Sequence, residues 1–294
     1  AGRTTCRRCP RDIRGGHLIA VVQNMQAAVA GKTHKEYCTV GIKHETALES
    51  PIDPDIRPAG AFSMRGHSIG GFGSVTTNKV VATIVGELFG LHVQAYPRYG
   101  SEKKGLPTTY YLTIADEPIR LHAELDQVEF VPLHDASAFA LGDPLAGLAD
   151  GGDVFIQSPL TDPEAIWASI PSSYRAEILA RGIRVTALDT ASIARRHSPR
   201  ADLEVRMQGV ALVGVFLRVS PFAERAGLDR AGLLEAVRER LGRFFGKRGG
   251  SVVDANLEVI SEAYDDLIDV TAAIGAAAAG PGSTAEPALE GATR

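Results

Sequence analysis

Cysteine is scarce in this chain: Cys6, Cys9 and Cys38 are the only three, and all lie near its start. An odd, clustered set does not staple a fold with disulfides. Cys6-Arg7-Arg8-Cys9 does have metal-ligand spacing, and His34 with Cys38 would complete a four-ligand site of zinc-knuckle type. Free thiols beside basic residues are the other reading, and both stay open. An iron–sulfur cluster normally wants four thiolates, which this chain does not supply alone. Aromatic residues are also few, 6% with a single Trp, so no stacking surface for bases or sugars stands out. Cations are not in excess: 31 Lys and Arg against 35 Asp and Glu leave a net charge of −4, which argues against a general nucleic-acid binder. No stretch approaches the roughly 18 consecutive apolar residues that span a bilayer. The start, Ala1-Gly2-Arg3-Thr4-Thr5-Cys6, lacks the apolar core of a signal peptide, so a cytoplasmic location is expected. No G-x-S-x-G sequence occurs, and a solitary hydrolase is not indicated.

What is present is the material of an ordinary globular protein. Hydrophobic residues make up 45% and charged residues 22% of 294 positions, enough for one sizeable core. Leu18, Val21, Val22, Met25 and Val29 recur at helical steps over His17–Ala30, with Gly31 as a stop. Pro51, Pro54 and Pro58 then rule out helix and suit an extended arm, so residues 1–58 read as an N-terminal helix and arm. From Ala61, strand and helix signals alternate in the manner of a parallel sheet covered on both faces. The expected fold is therefore α/β, a Rossmann-like three-layer parallel sheet spanning residues 59–272, with C-terminal helices and the extended N-terminal arm.

Within it, Ala61–Arg65, His92–Tyr96, Thr108–Ile114, Val128–Leu133, Val154–Gln157 and Ile183–Leu188 are the strand candidates. Val75–Leu88 predicts an amphipathic helix with Ser74, Thr76 or Thr77 as its cap, and Ser169–Arg181 a helix with Pro171 near its first turn. Leu203–Val219 is apolar almost all round, with Gly209 and Gly214 permitting close backbone approach, and predicts a buried helix. Asp229 caps a run carrying Leu233, Val237, Leu241 and Phe244, ended by Lys247-Arg248-Gly249-Gly250. Ser251 and Asp254 form an acidic capping box for a final helix through Leu257, Ile260, Tyr264 and Leu267. The tail, residues 273–294, is rich in Ala, Gly, Pro and Thr, and disorder is expected from Ala276 onward.

Two loops carry the chemistry. Glycine at four of eight positions from Gly66 to Gly73 lets the backbone take φ > 0 and bring N–H groups against a ligand, while the helix that follows adds its positive end. Ser101-Glu102-Lys103-Lys104-Gly105, preceded by Arg98 and Tyr99, places two ammonium groups after a strand, the usual ligand-facing edge of an α/β sheet. Together they describe an anion cradle suited to phosphate. The bland readings are a tight strand–helix connection and a solvated charge run. Gly71-Phe72-Gly73-Ser74-Val75-Thr76 is close to G-x-G-x-x-G, but Thr76 replaces the third glycine and no acid follows at the end of the second strand, so NAD is not favoured. His67, His92, His122, His134 and His197 show no metal-ligand spacing and read as surface or satisfied interior histidines.

Several segments recur in a specific order: Thr39-Val40-Gly41-Ile42 through Pro58, Gly70-Gly71-Phe72-Gly73 with Asn78-Lys79, Val93 through Gly105, Arg206-Met207-Gln208, and Phe245-Gly246-Lys247-Arg248-Gly249 with Asn256. From about Val40 to about Val270 the chain resembles the gamma domain of 2-oxoacid:ferredoxin oxidoreductases, most closely the pyruvate:ferredoxin oxidoreductase type. The resemblance implies a multi-chain enzyme that converts pyruvate or a related 2-oxoacid, coenzyme A and oxidised ferredoxin to acyl-CoA, carbon dioxide and reduced ferredoxin. It places thiamine diphosphate, Mg²⁺ and 4Fe–4S clusters on partner chains, namely alpha, thiamine-binding beta and ferredoxin-like subunits. This chain would hold no catalytic residue. It would aid assembly and contribute to the coenzyme A site, with Gly71, Phe72 and Gly73 meeting the ligand through backbone, Lys103 and Lys104 holding phosphates, and Ser101 adding a hydrogen bond. A purely structural subunit and a free-standing nucleotide-binding protein are the rival expectations.

Overall fold

The chain divides into two units, Ala1–Asp55 and Ile56–Arg294. The computed structural model describes residues 55, 57–69, 74–98, 107–120, 125, 127–245 and 249–279. The expected helix at His17–Ala30, the proline arm up to Pro54 and all three cysteines lie outside the described residues.

Seven strands form one sheet: β1 (Phe62–Ile69), β2 (His92–Arg98), β3 (Pro107–Ala115), β4 (Val128–Leu133), β5 (Leu148–Gln157), β6 (Arg184–Leu188) and β7 (Ile268–Asp269). Their order is β2-β3-β1-β4-β5-β6-β7. β1, β4, β5 and β6 pair in parallel, whereas β3 runs against both β1 and β2, and β7 against β6. The expected α/β class holds, but the sheet is mixed. Residues 99–106 are too few for a parallel crossover, which takes a dozen or more residues, so β2 turns back into β3 as a hairpin. The remaining parallel strands are joined through helices, as their longer connections require.

Alternation along the strands feeds two cores. From β1 and β3, Phe62, Met64, Tyr110, Leu112 and Ile114 face the first core. There they meet α1 (Ser74–Phe89) through Val81, Ile84 and Val85. The centre of that layer is α6 (Glu204–Val219), whose ten buried residues run from Met207 to Val219. Phe216 packs edge-on against Phe62 at 5.7 Å between ring centroids, a favoured aromatic geometry. α8 (Arg230–Phe245) and α9 (Gly250–Asp265) complete the face with Leu233, Val237, Leu241, Val259 and Ile260. The opposite face buries Tyr111, Val131, Leu133, Val154, Ile156, Val185 and Ala187 under α2 (Ala138–Leu141), α3 (Pro163–Ser169), α4 (Ser172–Ala180) and α10 (Val270–Ala279). Helices thus cover both faces. α5 (Thr190–His197) follows β6, and the short α7 (Phe222–Arg225) follows α6.

Four sequence expectations are corrected. First, β1 continues through Ile69, so Gly66, His67 and Ser68 belong to a strand and not to the glycine turn. Gly66 pairs with Tyr110 across the ladder, and a Cβ there would collide with the Tyr110 ring; the glycine serves packing. Second, the helix expected over Ser169–Arg181 starts three residues later, as α4 directly after Pro171, and α3 precedes it where no helix was expected, opening on the Asp162 cap, which accepts from the Ala165 N–H at 3.0 Å. Third, Ser251 and Asp254 do not cap α9. Gly249, at φ 101°, is the residue before the helix, which begins two positions earlier than a Ser251 cap implies, and Asp254 accepts from Arg238 at 2.8 Å instead. Fourth, Ala276–Ala279 are helical, the end of α10, where disorder was expected.

Other expectations hold. α6 is the buried helix, and Gly214 is its point of closest approach to α9: a Cβ there would strike the Ile260 carbonyl oxygen and lie 3.0 Å from both Ala263 Cβ and Tyr264 N. Asp229 caps α8 by accepting from the Gly232 N–H at 2.8 Å. The chain entering β1 is pinned to β4, since Arg57 donates both Nη1 and Nη2 to the Glu129 carboxylate at 2.8 Å each, and the Ser63 N–H donates to the same group at 2.6 Å. Among the described residues no helix is long and apolar enough to cross a membrane.

Candidate functional site

The carboxyl ends of the parallel strands form one edge of the sheet, where ligands of open α/β folds bind. At this edge β1 stops at Ile69 opposite Pro107, the first residue of β3, and β2 stops at Arg98 opposite Thr109. α1 begins at Ser74. The glycine turn therefore starts from Ile69 and ends at α1, while the lysine loop leaves Arg98 and returns at Pro107, which is paired with Ile69. Both loops hang from the same end of adjacent strands. The predicted contacts Gly71, Phe72, Gly73, Ser101, Lys103 and Lys104 lie outside the described residues, as do Tyr99 and His122.

The edge also has a topological switch. From β1 the chain passes through α1 to β2 on one side, and from β4 it passes through α2 to β5 on the other. Between the ends of β1 and β4 a cleft of about 170 Å³ opens, lined by His67, Ser68, Thr108, Thr109, His134 and Ser137 with Pro107, Asp135, Ala138, Leu141 and Gly142. A smaller hollow of about 50 Å³ shares Ser68 and His134 and reaches Tyr110, Gln157, Thr190 and Gln208. The His134 N–H donates to the His67 carbonyl at 2.9 Å, extending the β1–β4 pairing to the lip of the cleft.

Sequence reading missed the role of this pair of histidines. Nothing in their spacing marks them, because they meet across strands; the available signal was position, since each stands at or just past the carboxyl end of a parallel strand. Arg65, 8% exposed in the middle of β1, braces the cleft wall by donating Nη2 to the carbonyls of Pro144, at 3.0 Å, and Ala146. Its Nε–H donates to His67 Nε2 at 3.3 Å. A guanidinium has only donors, so His67 Nε2 must accept and the ring proton sits on Nδ1. Burial, and secondarily the Arg65 charge, push the His67 imidazole down to about 4. Burial also lowers His134, with Asp135 opposing the shift. The cleft thus presents neutral imidazoles at ordinary pH.

Asn78 belongs to the motif that follows the glycine turn. It is 3% exposed and donates Nδ2–H to the Tyr111 carbonyl at 2.9 Å, tying the second turn of α1 to β3; its Oδ1 is buried without a hydrogen bond. Burial alone pushes the Tyr110 phenol up, so it stays protonated. His92 stands exposed at the opposite end of the sheet, and His197 hydrogen-bonds Glu258, at 3.1 Å, and Glu262 on α9. Among the described residues no group of three or more His, Cys, Asp or Glu is placed to hold a metal ion.

Comparison with known proteins agrees with this architecture. Residues 63–266 match the family described as pyruvate ferredoxin/flavodoxin oxidoreductase. The chain is 24% identical over 260 residues to the pyruvate-flavodoxin oxidoreductase of Trichormus variabilis, covering 87% of this chain and 21% of that protein. It therefore spans about a fifth of the length of such curated relatives. Over 103 residues it is 35% identical to the common gamma subunit of the pyruvate/ketoisovalerate oxidoreductases of Thermococcus litoralis, covering 35% of this chain and 55% of that subunit. Among solved structures, the pyruvate oxidoreductase subunit PORC of Thermotoga maritima shares the fold with a TM-score of 0.50 at 22% identity, covering 71% of this chain and 97% of that one. With two thirds of its length matched, the chain belongs to the pyruvate ferredoxin/flavodoxin oxidoreductase family.

Proposed function

We propose that this chain is the gamma component of a cytoplasmic, thiamine-diphosphate-dependent 2-oxoacid:ferredoxin oxidoreductase, in which it supports assembly and forms part of the coenzyme A site. It acts only with alpha, thiamine-binding beta and ferredoxin-like partners. The complex turns pyruvate or a related 2-oxoacid, coenzyme A and oxidised ferredoxin into acyl-CoA, carbon dioxide and reduced ferredoxin. Thiamine diphosphate on a partner supplies the chemistry of decarboxylation, and 4Fe–4S clusters on other chains carry the electrons.

The observation that carries this reading is the pairing of Ile69 with Pro107, which hangs the glycine turn and the lysine loop from one end of adjacent strands beside the start of α1. Main-chain N–H groups at Gly71, Phe72 and Gly73, reinforced by the positive end of a 16-residue helix, suit a pyrophosphate. Lys103 and Lys104 neutralise its charge, and Ser101 adds a neutral donor. The chain's own task is to bind and orient coenzyme A so that its thiol meets chemistry held by other subunits.

Limited proteolysis of the assembled complex tests this. Saturating coenzyme A is expected to slow cleavage within residues 98–105 while other sites are cut at unchanged rates. Identical cleavage of that loop with and without coenzyme A would remove it from the binding site and leave a purely structural subunit.

A further inference from the structure

At the amino-terminal edge of the sheet, a crevice of about 520 Å³ opens between residues 60–62, where the chain enters β1, and the turn from α6 into α7. β1 has eight residues, so at about 3.3 Å each roughly 25 Å of strand separates this crevice from the edge where β1 ends. Its volume falls within the roughly 300–1,000 Å³ of a complete small-molecule site.

Charge narrows what fits there. Glu129, on one wall, is taken up by Arg57 and the Ser63 N–H, and Asp153 accepts from the Arg184 Nε–H beside it. These charges cancel within the fold. Arg218, Arg225 and Glu224 also line the crevice, and among the described residues none of the three makes an ion pair. Arg218 lies over the Tyr264 ring at 5.3 Å and Arg225 over the Phe222 ring at 5.8 Å, contacts that steady each guanidinium through its face and leave its N–H donors unspent. Asp265 feels the Arg218 charge, but it is bonded by the Arg230 Nε–H at 2.6 Å. Two cations against one acid leave the crevice positive.

Ser220 stands between the two arginines in sequence and is 7% exposed. Its N–H donates to the Phe216 carbonyl at 2.9 Å, whereas its hydroxyl is buried without a hydrogen bond. Buried polar groups are nearly always paired, so an orphan hydroxyl at a crevice points to an absent partner. An arginine in the last turn of a helix also offsets the negative helix end, and that accounts for Arg218. It accounts for neither Arg225 on α7 nor the Ser220 hydroxyl.

We propose that this crevice binds a small dianion, a phosphate-bearing or dicarboxylate molecule, with the Arg218 and Arg225 guanidiniums donating to its oxygens and the Ser220 hydroxyl turning to it as a neutral donor. Planar guanidiniums match the paired oxygens of either group. Glu224 opposes the ligand's charge from the rim. The site does not depend on the coenzyme A reading above, since it uses the other end of the strands and none of the same residues.

Phenylglyoxal, which modifies accessible guanidiniums, tests the site locally in the assembled complex, with each arginine followed by peptide mass spectrometry. Inorganic phosphate and succinate are the probes, and chloride at equal ionic strength controls for screening. Arg218 and Arg225, both exposed, are expected to react more slowly in either probe than in chloride, while Arg243, exposed toward the far end of α8, reacts at an unchanged rate. Whichever probe protects at the lower concentration tells a phosphate ester from a dicarboxylate. Arg225→Ala is expected to raise the concentration that half-protects Arg218 by about tenfold or more, through loss of a charge-assisted contact. Glu224→Gln is expected to lower it, because a repelling carboxylate is gone. Both positions are exposed, so neither change disturbs the core. Protection no greater than in chloride, or equal slowing of all three arginines, would overturn the site. So would Arg218 and Arg225 that stay unreactive in the complex without either probe, which would mark this face as a contact between subunits.

Discussion

Arg65 and His67 stand two positions apart on one strand, so both side chains point to the same face, and a cation beside an imidazole settles which form the ring takes. The His197 site shows the opposite sign. There Glu262 on α9 accepts from His197 and Arg196 on α5; partial burial pushes its carboxyl up, but these hydrogen bonds outweigh the burial and hold it below the ordinary glutamate range. A carboxyl with a lowered folded value contributes stability that is complete above its unfolded value and disappears as pH falls through the folded one. The difference in urea midpoint between the unaltered chain and Glu262→Gln is therefore expected to shrink as pH falls below about 4–5. A difference that grew over that acid range would show that the α5–α9 contact does not depend on the ionised carboxylate. Neither site was legible in the sequence. Periodicity locates residues along an element, whereas Arg65 with the 144–146 carbonyls and His197 with Glu262 meet across long separations.

At the scale of elements, α6 was readable because its apolar residues run all round, the signature of a helix packed on every side. Gly214 gives that packing a sharp test. Replacing an interior helical glycine by alanine gains about 1 kcal/mol of helix propensity. Here the new methyl strikes the Ile260 carbonyl, a backbone atom fixed within α9 that cannot rotate away. Overpacking of this kind costs about 1–3 kcal/mol, so steric conflict wins. Gly214→Ala is expected to lower stability by about 1–2 kcal/mol in urea unfolding. A stabilised variant would mean that α6 and α9 are not in close contact. Strand existence was likewise readable from the β-branched and aromatic run of β3, but strand direction was not. Alternation is the same in parallel and antiparallel ladders, and the hairpin followed only from the short connection at residues 99–106. Pro171 was rightly read as marking a helix start, since α4 begins directly after it, but α3 was not foreseen, because its cap at Asp162 lies upstream of the apolar pattern.

For the whole molecule, the layout of the sheet sets where a ligand could reach it. Two cores and a covered sheet form a platform, and a polar cleft opens at the edge where β1 and β4 end and β3 begins. The glycine turn and the paired lysines are local patterns and could be read from the sequence; the cleft could not, since it is assembled from three strands and α2. The central claim is that this edge grips the phosphates of coenzyme A within a larger complex. It is tested most directly by steady-state kinetics of the assembled enzyme carrying Lys103→Ala and Lys104→Ala together. Loss of two charge-assisted contacts, at about 1.5–3 kcal/mol each, predicts a rise of at least about tenfold in the KM for coenzyme A, with the KM for the 2-oxoacid within about twofold of its original value. Equal rises for both substrates, or an unchanged KM for coenzyme A, would contradict it.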